Sequence, residues 1–217
     1  MIITLAETSL QLLPDRAAFL PKSRTLVVAD VHLGKAATFR AAGLAVPEGH
    51  MESDMARLLR IVTETQPTRL VIAGDMIHAA EGLTKPVLEL ITRSLEKLAC
   101  PILLTEGNHD LRARHLYNYL PVEILPSLEV DGLHITHDPD DLPEKHPGIS
   151  GHLHPGITLR EGRRAAHKVP GFSLRQNLHL VLPAFSEFTG IHPVDIRPPY
   201  HRFFTPIQNR IIELKSA

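Results

Sequence analysis

Three short apolar segments, each followed directly by polar residues of a metal-binding type, constrain the fold of this chain more than any other feature. The segments and the polar residues after them are residues 26–29 with Asp30 and His32, residues 70–73 with Asp75, and residues 101–105 with Asn108 and His109. Apolar runs of this length are typical of strands that are buried on both faces. In an α/β fold, the carboxyl ends of parallel strands converge on one crevice. We therefore expect these polar side chains to meet in space, although they are far apart along the chain.

The segments between these strands have helical periodicity. Apolar side chains in residues 48–65 recur at intervals of three and four residues, which predicts an amphipathic helix. Pro86 fits the first turn of a second helix. Beyond residue 105, strand-like runs dominate: residues 122–125, 128–130, 133–136, 149–150, 169–172, 178–182 and 194–196. This order predicts an α/β fold, a layered αββα sandwich with two mixed β-sheets.

The two ends of the chain add little to this core. Residues 2–5 and 10–13 predict an amino-terminal hairpin. Residues 197–217 carry two prolines and then a pattern that fits a short helix, and their role stays open. Without repeats, low-complexity runs or a Gly/Ser linker, the sequence predicts one domain over residues 1–217, with the chemical motifs between residues 30 and 154.

Composition excludes several classes of protein. The formal net charge of −1 carries no global signature of a nucleic-acid or membrane binder. The single cysteine, Cys100, rules out an intramolecular disulfide framework and suits a reducing compartment. The first residues lack the pattern of a secretory signal, and no run approaches the ~18 apolar residues of a membrane span. We therefore expect a cytoplasmic protein with no membrane partner.

Among the 14 histidines, several lie in short motifs with carboxylate and amide residues. The motifs are Asp30-x-His32, Gly74-Asp75, Gly107-Asn108-His109-Asp110, His137 alone, and Gly151-His152-Leu153-His154. Carboxylate oxygen, imidazole nitrogen and amide oxygen suit borderline divalent ions such as manganese, iron or zinc. The absence of thiolates from the motifs disfavours a cysteine-rich structural zinc site. Asp75 is the best candidate for a carboxylate shared between two cations.

These five motifs, in this order, resemble the calcineurin-like metallophosphoesterase superfamily. The resemblance covers residues 30–154, and the GNHD and GHLH motifs are the specific part of it. It implies two divalent metal ions, with manganese favoured and iron or zinc as alternatives. It also implies two ligand sets that share Asp75: Asp30, His32, Asp75 and His154 for one ion, and Asp75, Asn108, His137 and His152 for the other.

Within that superfamily, the chain is most similar to the bacterial DNA ligase-associated metallophosphoesterases. The runs that carry this finer resemblance are ADVHLGKAATFRAAGLAVPEG at residues 29–49, SGHLHPG at residues 150–156 and LPAFSEFTG at residues 182–190. His78 and Asp138 depart from the pattern of the Ser/Thr phosphatases and disfavour that branch. His78 fits a residue behind the ligands and an ordinary exposed histidine equally well. The finer resemblance implies DNA processing in association with a DNA ligase or helicase system.

The implied mechanism is in-line attack on phosphorus by a hydroxide that bridges two cations ~3.5–4 Å apart. His109 is not needed as a ligand, so we assign it as general acid to the leaving group or as stabiliser of the developing charge. Asp110 is expected to orient its ring. Both assignments are hypotheses that rest on the resemblance and on the adjacency of these residues to Asn108.

Five basic residues near the motifs are candidates for contacts with substrate: Lys35, Arg40, Arg112, Arg163 and Arg164. Lys35 and Arg40 follow the first motif on what we predict to be a loop, and solvated loop charges are an equal alternative. Arg163 and Arg164 belong to a basic stretch that we place at a hairpin tip, where it could track a nucleic-acid backbone. The alternative is a solvated turn.

The sequence predicts a metal-dependent phosphoesterase that cleaves phosphodiester bonds, a nuclease or phosphodiesterase linked to DNA repair. Single-stranded DNA or RNA is the expected nucleic-acid substrate. The alternative is a small-molecule phosphoesterase that acts on nucleotides, cyclic nucleotides or pyrophosphate-linked substrates. A non-catalytic scaffold is disfavoured, because every expected ligand and the GNH histidine are retained. The physiological substrate, the metal and the oligomeric state are left open by the sequence.

Overall fold

The computed structural model describes residues 1–160, 166–194 and 201–214. A first sheet of seven strands runs in chain order: β1 (Ile2–Leu5), β2 (Thr8–Leu13), β3 (Ala17–Leu20), β4 (Thr25–Val28), β5 (Arg69–Ala73), β6 (Ile102–Thr105) and β7 (Glu123–Leu125). Strands β1 to β4 pair antiparallel, and β4 to β7 pair parallel. The predicted amino-terminal hairpin and the three buried strands are confirmed.

Four α-helices lie in the part of the chain that crosses between these strands. They are α1 (Lys35–Ala41), α2 (His50–Thr65), α3 (Lys85–Glu96) and α4 (Asn108–Ala113), and a 3-10 helix at Arg114–Tyr119 follows α4. Helices α2 and α3 confirm the two predicted helices. Helix α1 corrects the prediction that Lys35 and Arg40 lie on a loop. Only seven residues long and without a fully buried side chain, α1 has no apolar stripe from which a helix could be read.

The described residues of the second half of the chain form ten strands: β8 (Leu128–Val130), β9 (Leu133–Ile135), β10 (Gly148–Ser150), β11 (Pro155–Arg160), β12 (Ala166–Pro170), β13 (Phe172–Arg175), β14 (His179–Val181), β15 (His192–Pro193), β16 (His201–Ile207) and β17 (Arg210–Leu214). Seven of them build a second mixed sheet in the order β17-β16-β13-β14-β10-β9-β8, and the other three form a small sheet in the order β12-β11-β15. Strands β16 and β17 pair antiparallel, so the short helix predicted near the carboxyl terminus is wrong. A paired hairpin satisfies the backbone groups and buries Phe203 and Phe204, which a short isolated helix would not do.

Two apolar clusters separate the layers. The first lies between the helices and the first sheet and contains Leu26 and Val28 of β4 together with side chains of α2 and α3. The second lies between the two large sheets and contains Val27 of β4 together with Ile149 and Phe172. Successive side chains of a strand point to opposite faces, so β4 must be apolar throughout to serve both clusters.

The predicted α/β class with two large mixed sheets is confirmed. In the described ranges, the buried apolar side chains of α2, α3 and α4 all belong to the cluster beside the first sheet. The second sheet is contacted instead by the small sheet, through β11 against β13 and β12 against β16. None of the described helices is long and apolar enough to span a membrane.

Candidate metal centre

The motif residues leave their strands with an unusual backbone conformation. Left-handed φ angles occur at Asp30 (55°), His32 (48°), Asp75 (51°), His152 (68°) and His154 (45°). Such angles are costly for residues with a side chain, and they cluster at functional sites. Here they turn five polar side chains toward one region at the ends of β4, β5 and β10.

Backbone hydrogen bonds hold these strained turns against each other. The amide of Asp30 donates to the carbonyl of Gly74 at 3.1 Å, and the amide of His32 donates to the carbonyl of Asp75 at 2.9 Å. The amide of His152 donates to Asp30 Oδ2 at 3.0 Å. The strained conformations are therefore fixed by the surrounding fold before any ligand binds.

Two glycines leave the space that the site occupies. A β-carbon on Gly107 would lie 2.3 Å from Asp75 Oδ1. A β-carbon on Gly74, which has a φ of 76°, would lie 2.0 Å from His137 Nδ1. Contacts this short are prohibited, so both motifs require glycine at these positions, as the sequence predicted.

One group of side chains brings imidazole nitrogens and carboxylate oxygens together at the end of β4. His154 Nε2 lies 3.3 Å from Asp30 Oδ1 and 3.5 Å from His32 Nε2. His32 Nε2 lies 4.0 Å from Asp75 Oδ2. With metal–ligand bonds of about 2.1 Å, ligand atoms of a tetrahedral site are separated by roughly 3.4 Å. The spacing of these atoms therefore fits a cation between them.

The protonation of His32 also fits a metal. Burial, followed by the positive charge of Lys35, lowers the pKa of His32 far below its ordinary value. A neutral imidazole has a free nitrogen lone pair, which is the form that binds metals. His32 is 3% exposed, so no bulk water is available to satisfy that lone pair.

A second group of side chains lies at the end of β9 and the start of α4. His137 Nε2 lies 3.1 Å from Asn108 Oδ1, 3.0 Å from His152 Nδ1 and 3.5 Å from Asp75 Oδ1. The Nδ1 atom of His137 lies 3.2 Å from the carbonyl oxygen of Ala73, which fixes its ring. Four potential metal-ligand atoms, two imidazole nitrogens, an amide oxygen and a carboxylate oxygen, thus lie at metal-ligand spacing around His137 Nε2.

Asp75 joins the two groups. Its Oδ1 faces His137, and its Oδ2 faces His32. The backbone amide of His109 donates to Oδ1 at 2.9 Å and so fixes the carboxylate. Burial raises the pKa of Asp75, and a bound cation would favour the charged form again. The structure brings all seven predicted ligand residues together, and their chemistry and spacing fit two divalent ions.

The ring of His109 is placed by a contact that the sequence did not indicate. Its Nδ1 lies 2.6 Å from the carbonyl oxygen of His78, and its Nε2 lies 3.9 Å from Asp75 Oδ2. The rings of His78 and His109 stack with centroids 4.7 Å apart. His78 is therefore a half-buried residue directly behind His109.

Asp110 does not orient the ring of His109, which corrects the sequence-based prediction. Its Oδ2 accepts from the amide of Gly107 at 3.0 Å, and its Oδ1 accepts from the amide of Ile77 at 3.1 Å and from the hydroxyl of Tyr117. Burial raises the pKa of Asp110 to about 6. A carboxylate that caps its own helix cannot also reach the neighbouring ring, so Asp110 fixes the loop that carries Asn108.

Asp138 is a second residue whose position was not foreseen. Its Oδ2 lies 3.7 Å from His152 Nε2, while the Nδ1 of that histidine faces His137. A carboxylate behind a metal-binding histidine fixes its ring and raises its basicity. The sequence signal was present, since Asp138 directly follows a ligand residue.

Three of the five predicted substrate-contact residues, Lys35, Arg40 and Arg112, lie in the described part of the chain. Lys35 and Arg40 line a cleft of about 180 Å³ that begins at His32. Burial lowers the pKa of Lys35, and the charges of Asp30 and Asp75 oppose this shift. Arg112 is exposed in the last turn of α4 and is not among the described residues that line this cleft.

Arg163 and Arg164 lie outside the described residues. The strands on either side of that segment, β11 and β12, pair antiparallel as the prediction of a hairpin requires.

Ser186 and Phe188, in the segment of residues 182–190, line the cleft, and buried charges hold this segment. The amides of Phe185 and Ser186 donate to the carbonyls of Ala29 and Asp30. Arg57 donates to Asp54 Oδ1 at 2.8 Å and to the carbonyl of Phe185, and its guanidinium lies 4.3 Å from the ring of Phe185. We call Asp54 and Arg57 the clamp.

Replacing Arg57 by Ala should destabilise the protein strongly. The side chains of Arg57 and Asp54 are only 13% and 4% exposed. Removing one member of a buried pair leaves the other charge unpaired, which costs about 3–5 kcal/mol of unfolding free energy. Arg60→Ala is the matched control, because the Arg60 side chain is 51% exposed and should cost less than about 1 kcal/mol. Urea unfolding of both variants measures the difference, and equal losses would contradict this account of the clamp.

Three comparisons show which known proteins this chain is similar to. Residues 23–168 match the sequence model of a family described as calcineurin-like phosphoesterase. The crystal structure of the nuclease MPE from Pseudomonas putida is 29% identical, with 99% of both chains covered and a TM-score of 0.82. The phosphoesterase YfcE from E. coli is 17% identical, with 88% of this chain and 97% of that chain covered and a TM-score of 0.43. No curated protein matches the sequence.

Proposed function

Because the chain belongs to the calcineurin-like phosphoesterase family, and is thus a hydrolase of phosphoester bonds, we propose that it is a two-metal phosphodiesterase that acts as a nuclease. The observation that carries the proposal is the shared carboxylate of Asp75 between two groups of ligand atoms. The similarity to a nuclease over 99% of both chains supports a nucleic-acid substrate.

We assign the ligands as the geometry groups them. Asp30, His32 and His154 hold one ion with Asp75. The second ion is held by Asp75 with the other three ligands, Asn108, His137 and His152. Oxygen and imidazole donors without thiolate suit manganese, with iron or zinc as alternatives. When bound, two such ions supply an acidified water and neutralise the phosphoryl oxygens.

The residues of the chain provide the rest of the chemistry. The Nδ1–H of His109 donates to the carbonyl oxygen of His78, so it is the doubly protonated ring that gives the proton on Nε2 to the leaving oxygen and is left neutral. Lys35, beside His32 in the cleft, attracts the phosphate. Asp110 and Asp138 keep their neighbours in place. These roles explain why the charged and polar groups of the site are buried at a cost to folding.

An activity panel tests the proposal. Protein reconstituted with manganese is offered bis-p-nitrophenyl phosphate, p-nitrophenyl phosphate, cyclic nucleotides, single-stranded DNA and single-stranded RNA. We expect metal-dependent hydrolysis of the diester and cleavage of the single-stranded nucleic acid. Activity restricted to cyclic nucleotides or to monoesters would favour the small-molecule alternative. An association with a DNA ligase or helicase and a cytoplasmic location stay predictions from the sequence.

A further inference from the structure

A row of aromatic rings leads away from the metal centre along the cleft. The ring of Phe39 lies with its centroid 5.8 Å from that of His78, and the ring of Phe188 lies 5.6 Å from that of Phe39. The ring of His50 stacks on Phe188 at 4.8 Å with an interplanar angle of 21°. We call Phe39, Phe188 and His50 the aromatic row. It connects, ring by ring, to the stacked pair of His78 and His109.

The aromatic row is not part of either apolar cluster. Phe39 and Phe188 are half-buried and belong neither to the clusters nor to the apolar side chains packed against them. Phe188 and His50 line the same cleft as His32 and Lys35. Burial of these rings in an apolar cluster would stabilise the fold. They lie instead partly exposed beside a polar centre, as side chains of a binding site do.

The position of Phe188 is enforced by the clamp. The amide of Glu187 donates to Asp54 Oδ1 at 3.3 Å, and the amide of Phe188 donates to Ser186 Oγ at 3.3 Å. A buried ion pair is a costly way to hold a loop, because desolvation offsets most of the attraction between its charges. The clamp holds Phe185 and Glu187, and thereby the short segment that carries Phe188.

The charged side chains that line the cleft indicate what kind of ligand it can bind. Lys35 lies near His32, where a phosphate is expected. Glu48 and Glu52 flank His50 in the sequence and also line the cleft. Carboxylates repel a second phosphate, but they accept hydrogen bonds from the amino groups of a base. Arg40 also lines the cleft, and its guanidinium donates to the carbonyl oxygen of Pro47, next to Glu48, so charges of both signs are present here. The flat faces of Phe188 and His50 beside these polar groups suit a flat, polar-edged group.

We propose that the aromatic row binds a nucleobase adjacent to the scissile phosphate, with the base added to the stack that Phe188 forms with His50. Base–aromatic stacking tolerates all four bases and requires an unpaired base. This inference rests on the proposed function, because it places the phosphate at the metal centre. Phe188 is then a specificity-determining residue that has no contact with the reacting atoms.

Two diesters that differ in carrying a base test the proposal. The variants are Phe188→Ala, Phe188→Leu and Phe188→Trp, with Tyr119→Ala as the control, since Tyr119 is 68% exposed and does not line this cleft. For thymidine 5′-(p-nitrophenyl phosphate) we expect Phe188→Ala to raise KM about 10-fold or more and Phe188→Trp to restore it. For methyl p-nitrophenyl phosphate, which has the same leaving group and neither a base nor any other ring on its second ester, kcat/KM should stay within about twofold. Equal losses on both substrates, or no loss on either, would overturn the proposal.

A binding measurement separates this proposal from the proposed function. An oligonucleotide with one 2-aminopurine should lose fluorescence when its base stacks on Phe188 in an Asp75→Asn background, and the additional Phe188→Ala change should remove the quenching. Quenching that depends on Phe188 without hydrolysis of any diester by the unmodified protein would support the base site and contradict the nuclease. Hydrolysis with quenching that is indifferent to Phe188 would support the nuclease and overturn the base site. The Phe188→Leu variant, which keeps an apolar side chain, shows whether loss of the ring or loss of packing is responsible.

Discussion

Asp75→Asn is expected to remove nearly all metal-dependent hydrolysis and to lower the metal content of the purified protein below two ions per chain. An amide has the shape of a carboxylate but no charge, so it cannot offset the repulsion between two cations. Both oxygens of Asp75 are committed, one to each ligand group. Changes to residues behind the ligands typically cost 10–100-fold in affinity or activity, so the loss here should exceed about 100-fold.

The same substitution should leave the metal-free fold intact. Burial raises the pKa of Asp75, which shows that its charge is unfavourable without a cation. Replacement by a neutral amide of equal size should therefore keep the Tm of the metal-free protein or raise it. Added manganese should raise the Tm of the unmodified protein, because one bound ion at 100 times its Kd adds about 2.7 kcal/mol to the free energy of unfolding. The Tm of the variant should rise much less.

Metal analysis, calorimetry and turnover of bis-p-nitrophenyl phosphate measure these effects together. Asp140→Asn serves as the matched control, because Asp140 is exposed and close in sequence to His137. Two ions per chain in the Asp75→Asn protein, with normal turnover, would contradict the shared-ligand assignment.

His109→Ala is expected to slow turnover by about 10²–10⁴-fold while metal content remains at two ions per chain. The side chain of His109 is 28% exposed, and its Nε2 points toward the space beside Asp75. Its backbone amide, which is retained in the variant, is the group that holds Asp75. The substitution should therefore slow proton transfer and leave metal binding unchanged.

The nature of the leaving group distinguishes the two roles considered for His109. A general acid matters most when the leaving oxygen is basic and little when it departs as p-nitrophenolate. The loss should therefore be larger for cleavage of DNA than for bis-p-nitrophenyl phosphate. Losses of equal size would favour stabilisation of charge over proton transfer. His115→Ala, an exposed histidine on the following 3-10 helix, is the control and should be silent.

The sequence determined the fold class, and it predicted seven metal-ligand residues that the structure brings together. The three motifs after β4, β5 and β6 could be placed together, because parallel strands in one sheet bring their carboxyl ends to one edge. His137 and the motif at residues 151–154 follow strands of the second sheet, and their position beside the other three depends on how the two sheets pack. The apolar runs before Asp30 and Asp75 could be recognised as buried strands, because both faces of β4 and β5 are covered and every residue of the run is therefore apolar. The family match confirms the resemblance on which the pairing of ligands rested.

The tertiary structure alone decided which groups stand behind those ligands. His109 is oriented by the carbonyl of His78, and Asp110 bonds to Gly107, Ile77 and Tyr117 instead. Adjacency in sequence suggested that Asp110 orients His109. A helical turn, however, sends neighbouring side chains in different directions. The aromatic row likewise joins residues from three distant segments, and no local pattern records such a contact. Ligand types follow from local chemistry, whereas orientation depends on hydrogen bonds and packing between segments that only the folded chain brings together.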